Sequence, residues 1–372
     1  MNTPELSRRN FLRTATVAAA VTPFVWPDDA IAWAEPQRTS APGGPVRLDS
    51  NENPYGAWPS LTEVMRDALG RANRYPDGPE DRLRDAIAKF HSVRPEQVLL
   101  GCGSGEILKM VGDAFCGPGK PIVQPSPTFG LCGVFAERHG GEVRRIPLTK
   151  TFEHDLDAMS AAAQDAAVVF VCNPNNPTGN VTPRPKIEAF LKTLKPDTVV
   201  VIDEAYHHFV DSPDYTSFLD KPLNDPRILV SRTFSKIFGL AGMRSGYAVG
   251  SVAMIDKLQQ FSIFSGVNVA AAECCIAALA DKPGLAFAAK RNKTDREEFF
   301  AQCKKRGLNF IPSQANFIMV ETGKPIRELI GKFRKQNVAI GRPFPPMDLF
   351  MRISLGTPQE METFWKAWDN LG

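Results

Sequence analysis

The chain has 372 residues, 43% of them hydrophobic and 23% charged, with a formal net charge of +3. This is the make-up of an ordinary globular protein, long enough for one large and one small domain, and no block of like charges or repeat points to a nucleic-acid partner. Seven cysteines at 102, 116, 132, 172, 274, 275 and 303, without a Cys-x-x-Cys pair, fit neither a disulfide framework nor a zinc site, and no metal is expected.

In chain order, the first 34 residues stand apart from the fold. Ser7-Arg8-Arg9-Asn10-Phe11-Leu12-Arg13 resembles a twin-arginine export signal. Residues 14–25 are small and weakly apolar, too short for a mature bilayer span, and Ala32-Trp33-Ala34 has the small-x-small form of a cleavage site. The expectation is a signal peptide over 1–34, engagement with the twin-arginine machinery, a periplasmic location and no stable membrane insertion after cleavage. Folding in the reducing cytoplasm before export would account for free thiols.

Residues 35–60, rich in Pro and Gly, read as an extended arm. Helical periodicity begins near Leu61 and returns over 80–90. Short β-branched runs at 98–100, 121–123, 168–171, 199–202 and 228–230 alternate with helical stretches, as in a largely parallel sheet buried on both faces. Thr182-Pro183 supplies an N-cap and first-turn proline for a helix through Leu194. Beyond about 265 come helices over 270–280 and 290–306, strands at 315–320 and 351–355, and a last helix opened by the capping box Thr357-Pro358-Gln359-Glu360. The fold class is therefore α/β: a large domain over 61–265 with a mostly parallel sheet between helices, and a smaller α+β domain over 266–372.

Polar motifs follow the strand ends, where ligands bind in open α/β sheets. Gly101-Cys102-Gly103-Ser104-Gly105-Glu106 precedes an amphipathic helix, and its exposed N–H groups suit an anion, ideally a phosphate. Cys172-Asn173-Pro174-Asn175-Asn176-Pro177-Thr178-Gly179 is a rigid turn that aims an amide. Asp203-Glu204-Ala205-Tyr206 puts a carboxylate at a strand end with a phenol one helical step onward. Ser231-Arg232-Thr233-Phe234-Ser235-Lys236 holds a lysine between Phe234 and Phe238, upstream of Arg244. Apolar walls and nearby cations lower an amine's pKa, as Schiff-base chemistry requires. Each motif alone has an ordinary structural reading as a turn or a helix cap; their shared order argues for a site.

Together these residues resemble the fold-type I pyridoxal-phosphate enzymes of class I/II aminotransferase type, and within them the histidinol-phosphate aminotransferases. The likeness runs from Leu48-Asp49-Ser50-Asn51-Glu52-Asn53-Pro54-Tyr55-Gly56 to the C-terminus. It takes in Asn73-Arg74-Tyr75-Pro76, Pro127-Thr128-Phe129-Gly130 and Arg352-Ile353-Ser354-Leu355-Gly356. The resemblance implies pyridoxal 5'-phosphate as cofactor and a ping-pong transfer between an amino donor and a 2-oxo acid or related carbonyl. Lys236 would bind the cofactor as a Schiff base and move the proton. Asp203 would face the ring nitrogen, Asn176 and Tyr206 the ring oxygen, and Phe129 the ring face. Ser104, Gly105, Ser235 and Arg244 would hold the phosphate, with Thr233 a weaker addition. Tyr75 would reach the phosphate from a second subunit, implying a homodimer with shared active sites. For substrate, the resemblance implies Arg352 as carboxylate clamp, with Arg342, Asn316 and Asn53 nearby; a structural ion pair is the competing reading of Arg352.

Two departures bear on substrate. The relatives' aromatic Pro-Tyr segment is absent from residues 36–45, which argues against histidinol phosphate as the working substrate, and the loop 343–348 beside Arg342 is shorter. Other pyridoxal-phosphate reactions on an amino acid (decarboxylation, cyclisation, oxidation) would use the same apparatus, and a non-catalytic cofactor-binding protein is the third reading. His207 and His208 read as ordinary helix residues.

Overall fold

The computed structural model describes residues 44–371. The export-signal motif, the apolar stretch and the Ala32-Trp33-Ala34 site lie outside the described residues.

Seven strands form the principal sheet, in the order Val98–Gly101, Gly246–Val249, Ile228–Thr233, Val199–Asp203, Val168–Cys172, Ile122–Ser126, Val143–Pro147. Gly246–Val249 runs antiparallel to both neighbours, and the remaining paired strands are parallel. Every residue of Val168–Cys172 and Val199–Asp203 is buried. Successive residues serve opposite faces. Val169, Val171, Val200 and Ile202 enter one core, and Val168, Phe170, Val199 and Val201 the other. That two-sided burial is why these strands are continuous apolar runs.

Two strands of this sheet were not read from the sequence. Val143–Pro147 is the sheet edge, and its Arg144 and Arg145 pair with Glu142, Asp165 and Glu137, the charged edge that discourages further pairing. Gly246–Val249 is only four residues long, and its Gly246 is required because a Cβ there would strike the backbone N of Ser104.

Helix Val269–Ala280 lies against the first helices of the described chain. Its Ala271, Ala272, Cys274, Cys275 and Ala278 pack with Leu61, Leu83 and Ile87 of the helices Pro59–Leu69 and Asp77–His91. Beyond Ala280, an antiparallel sheet of Phe310–Ile311, Phe317–Glu321 and Phe350–Ser354 shares a core with Leu48, Phe299, Phe333 and Phe364. The arm supplies a strand of its own, Val46–Leu48, parallel to Val338–Ile340. The Thr357–Glu360 capping box forms in both directions. Thr182 does not cap: its hydroxyl is taken by His154, and the helix Arg184–Leu191 starts after Pro183.

Burial holds four imidazoles neutral. His91 is lowered to about 3 and His154 to about 4, while His207 and His208 fall well below the usual histidine value. Below pH ~6.5 the unfolded chain binds protons that the folded chain refuses, so stability falls with falling pH, by up to ~1.4 kcal/mol per pH unit for each group. Urea midpoints should therefore drop between pH 7 and pH 5, and the drop should shrink in His154→Gln. An unchanged pH slope in that variant would contradict this.

Candidate active site

Asp203 ends its strand opposite Cys172 and Ser231. It is 1% exposed, and among the described residues its carboxylate accepts one hydrogen bond, from the Ala205 N–H at 3.2 Å. Burial pushes its carboxyl up to about 7; the Ala205 N–H and the Lys236 charge pull the other way. A carboxylate so placed stays ionised at neutral pH only with a cationic partner. The neighbouring Glu204 is already neutralised, bound by Arg232 Nε at 3.0 Å and Nη2 at 2.8 Å and by Ser217 Oγ at 2.6 Å.

Lys236 lies in the connection between the antiparallel strands Ile228–Thr233 and Gly246–Val249. Its Nζ donates to the Asn51 carbonyl at 3.3 Å and, among the described residues, pairs with no carboxylate. Burial lowers the amine to about 8, helped by the charges of Arg352 and Arg244. The Tyr206 ring centroid is 5.7 Å from Nζ. Tyr206 is not on a helix as expected; it sits in the loop before a single turn, His207–Phe209. Its hydroxyl accepts from Asn51 Nδ2 at 3.0 Å and is pushed up by burial.

An anion cradle adjoins the lysine. Helix Ser104–Phe115 starts after Gly103 with no side-chain cap, leaving its first N–H groups for a ligand. Gly103 has φ +75°, and a Cβ there would collide with the Arg244 guanidinium. Arg244 Nη1 in turn donates to Ser235 Oγ at 3.3 Å. Helix N-terminus, guanidinium and hydroxyl thus converge at distances that only glycine permits. Thr233 acts indirectly, its Oγ1 donating to Ser235 Oγ at 3.0 Å. Uncapped N–H groups, a guanidinium and a hydroxyl fit a phosphate monoester, and the amine and buried carboxyl fit a ring that carries an aldehyde and a basic nitrogen.

Arg352 is 7% exposed and forms no ion pair among the described residues. Nη1 donates to Asn176 Oδ1 at 2.8 Å and Nη2 to the Asp49 carbonyl at 2.7 Å, while Nε has no partner. The structural ion pair considered for it is thus not what the fold builds. Burial and the Arg342 charge lower it to about 10. Both guanidiniums flank Phe344, at 4.3 Å for Arg342 and 4.7 Å for Arg352.

The other expected residues divide. Phe129 is half-buried against the core that contains Cys172. Asn316 Nδ2 braces the arm through the carbonyls of Asn51 and Glu52, both at 3.1 Å. Asn53 Nδ2 donates to the Ile237 carbonyl at 2.8 Å. Both asparagines line a separate cavity of about 310 Å³ with Tyr55, Trp58 and Phe287. Tyr75 is 79% exposed and is not gathered with the others.

Sequence reasoning missed Asn51. Left-handed at φ 53°, it takes the Lys236 amine on its carbonyl, donates to Tyr206 and exchanges hydrogen bonds with Ser354 Oγ. Its signal lay inside the Asn51-Glu52-Asn53 motif, where nothing local separates one asparagine from the other.

The family model for aminotransferase class I and II matches residues 44–367. The chain is 36% identical over 326 residues to a histidinol-phosphate aminotransferase of Moorella thermoacetica, covering 87% of this chain and 84% of that protein. It is 35% identical over 334 residues to histidinol-phosphate aminotransferase 2 of Methylococcus capsulatus, with 88% and 90% covered. Among solved structures it is similar to a histidinol-phosphate aminotransferase from Sinorhizobium meliloti in complex with pyridoxal-5'-phosphate. The TM-score is 0.83 at 26% identity, with 88% of this chain and 92% of that one covered.

Proposed function

This chain belongs to the class I and II aminotransferases, and on that premise we propose that it transfers an amino group between an amino acid and a 2-oxo acid or related carbonyl, with pyridoxal phosphate as cofactor. One observation carries the reading: Lys236, a part-buried amine lowered to about 8, has no carboxylate partner among the described residues and lies beside a cradle fit for a phosphate. A cation buried without a counter-ion destabilises a fold, which argues for use rather than structure.

When bound, the cofactor supplies an aldehyde that takes an amine and a ring that accepts an electron pair. This chain's residues do the rest. Ser104, Gly105, Ser235 and Arg244 hold the phosphate, Asp203 keeps the ring nitrogen protonated, and Asn176 and Tyr206 meet the ring oxygen. Phe129 covers the ring face. Lys236 Nζ would anchor the cofactor, then take the proton from the substrate carbon and deliver it to the cofactor. Arg352 receives the substrate's anion.

The second guanidinium, Arg342, favours a narrower reading as well: a phosphorylated amine, in line with the relatives' names. Each native donor should release a stoichiometric 2-oxo acid or carbonyl product in a single turnover, and failure with every amino donor, phosphorylated or not, would sink the transaminase reading. Arg352→Gln should raise KM for an anionic donor by roughly 10- to 150-fold, the worth of one lost charged hydrogen-bond set, with far less change for an uncharged amine.

We propose also that the first 34 residues direct export of the folded protein to the periplasm, supported by the order of basic, apolar and cleavage segments. Arg8→Lys with Arg9→Lys should trap an uncleaved precursor inside the cell. Normal appearance of the shortened form outside the cytoplasm would end this reading.

A further inference from the structure

Glu106 stands three residues into the helix whose N-terminus forms the anion cradle. A carboxylate there is favoured by the helix N-terminus itself but repels an anion bound at the same end, so it works against the cradle. Its side chain nevertheless is 8% exposed and bound at both oxygens to backbone. Oε2 accepts from the Cys102 N–H at 2.5 Å, within the Gly-rich turn, and Oε1 accepts from the Ile263 N–H at 2.8 Å, 157 residues away in sequence. The segment it reaches, residues 261–267, packs closely enough that a Cβ on Gly266 would sit 3.3 Å from Oε2.

That segment is unusual in its own right. Ile263 is 61% exposed and Phe264 83%. Ser265 is left-handed at φ 53° and its hydroxyl donates to Asp77, two residues from the exposed Tyr75. A second carboxylate, Glu80, accepts the Val267 N–H at 2.7 Å. A loop that holds large apolar side chains in water while its backbone is pinned at several points is preorganised for a protein partner. The partner is a second copy of this chain, since the family assembles typically as dimers and the exposed Tyr75 borders the same loop.

We infer that Glu106 is a positioning residue that couples the turn at residues 101–104 to the exposed loop at 261–267, so that association of a second copy through the loop and binding of the cofactor's phosphate at the turn strengthen each other. The inference rests on the aminotransferase reading. Coupling of this kind is reciprocal: the factor by which dimerisation tightens cofactor binding equals the factor by which cofactor tightens the dimer.

Glu106→Gln separates this from simple electrostatics. The amide keeps one acceptor oxygen but presents an NH2 group where the second N–H needs an acceptor, and it removes the repelling charge. Charge removal alone predicts tighter pyridoxal phosphate binding; lost coupling predicts weaker binding. For the native full-length chain, the pyridoxal phosphate Kd, titrated by fluorescence, should fall about 5-fold or more between protein concentrations below and above the dimer midpoint. Sedimentation should show the same factor in the dimer constant with and without cofactor. In Glu106→Gln the factor should lie within about 2-fold of unity, the usual size of an uncoupled effect. Retention of the native factor in that variant, or tighter binding, would overturn the inference. Phe264→Ser, which leaves the turn intact, guards against a folding defect: it should weaken the dimer and bring cofactor affinity down only to the monomer's value, and no change in either would overturn the role of the loop. Native protein that takes up no cofactor at any concentration would overturn the aminotransferase reading too, whereas uptake with a factor near one would overturn this inference alone.

Discussion

Lys236→Ala is expected to lower transamination by on the order of 10²–10⁴-fold, the usual worth of a positioned proton-transfer group. The variant should also lose the cofactor-sized mass increment that borohydride treatment leaves on the native peptide carrying residue 236. The native chain should capture cofactor faster as pH rises, levelling off above about 8, because the ammonium that dominates below the lowered pKa has no lone pair to offer. The same substitution should raise the urea midpoint, since it deletes a part-buried amine whose only side-chain hydrogen bond among the described residues is to the Asn51 carbonyl. A reducible adduct in the variant would mean that another amine does this work. A lowered urea midpoint would mean that the lysine stabilises the fold as well.

Asp203→Asn is expected to cost about 3–5 kcal/mol of transition-state stabilisation, the penalty for breaking a buried charge pair, or roughly two to three and a half decades in kcat/KM. The amide preserves shape and can still accept the Ala205 N–H, so folding should be little changed. It cannot carry the charge that a protonated ring nitrogen needs beside it. The native carboxyl, raised to about 7 by burial, is ionised only above that pH unless the ring is present. Cofactor affinity of the native chain should therefore decline as pH falls through about 7, and that decline should vanish in the asparagine variant. If it persists there, the titrating group is another one.

The parts legible in the sequence were those in which one strand carried its own evidence. The runs around Val169, Val200 and Leu229 are buried on both faces, so composition alone marks them as strands of a parallel sheet. The residues just beyond them, Asp203 and Lys236, inherit their place from that register. What stayed hidden depended on pairings across long stretches of chain. Val143–Pro147 carries two arginines because it is an edge, which removes the apolar signal. Val46–Leu48 becomes a strand only because Val338–Ile340 is there to meet it. Asn51 and Asn53 are chemically the same residue two positions apart. One is turned by a left-handed φ toward Tyr206, and the other faces Ile237. Asn316 was expected near the substrate on the family resemblance alone; its donors hold the arm.

The meeting at the Asn51 carbonyl also sets an order of events during synthesis. Lys236 and Asn316 both donate to that oxygen, and the arm just before it is secured by a strand near residue 340. The first part of the described chain to leave the ribosome therefore waits for almost the last before it can take its place. A nascent chain stalled anywhere before residue 340 would hold the lysine without the backbone that orients it. Cofactor capture is thus expected only once the strand Val338–Ile340 has left the ribosome, and an assay on ribosome-bound chains should find the reactive amine unshielded until then.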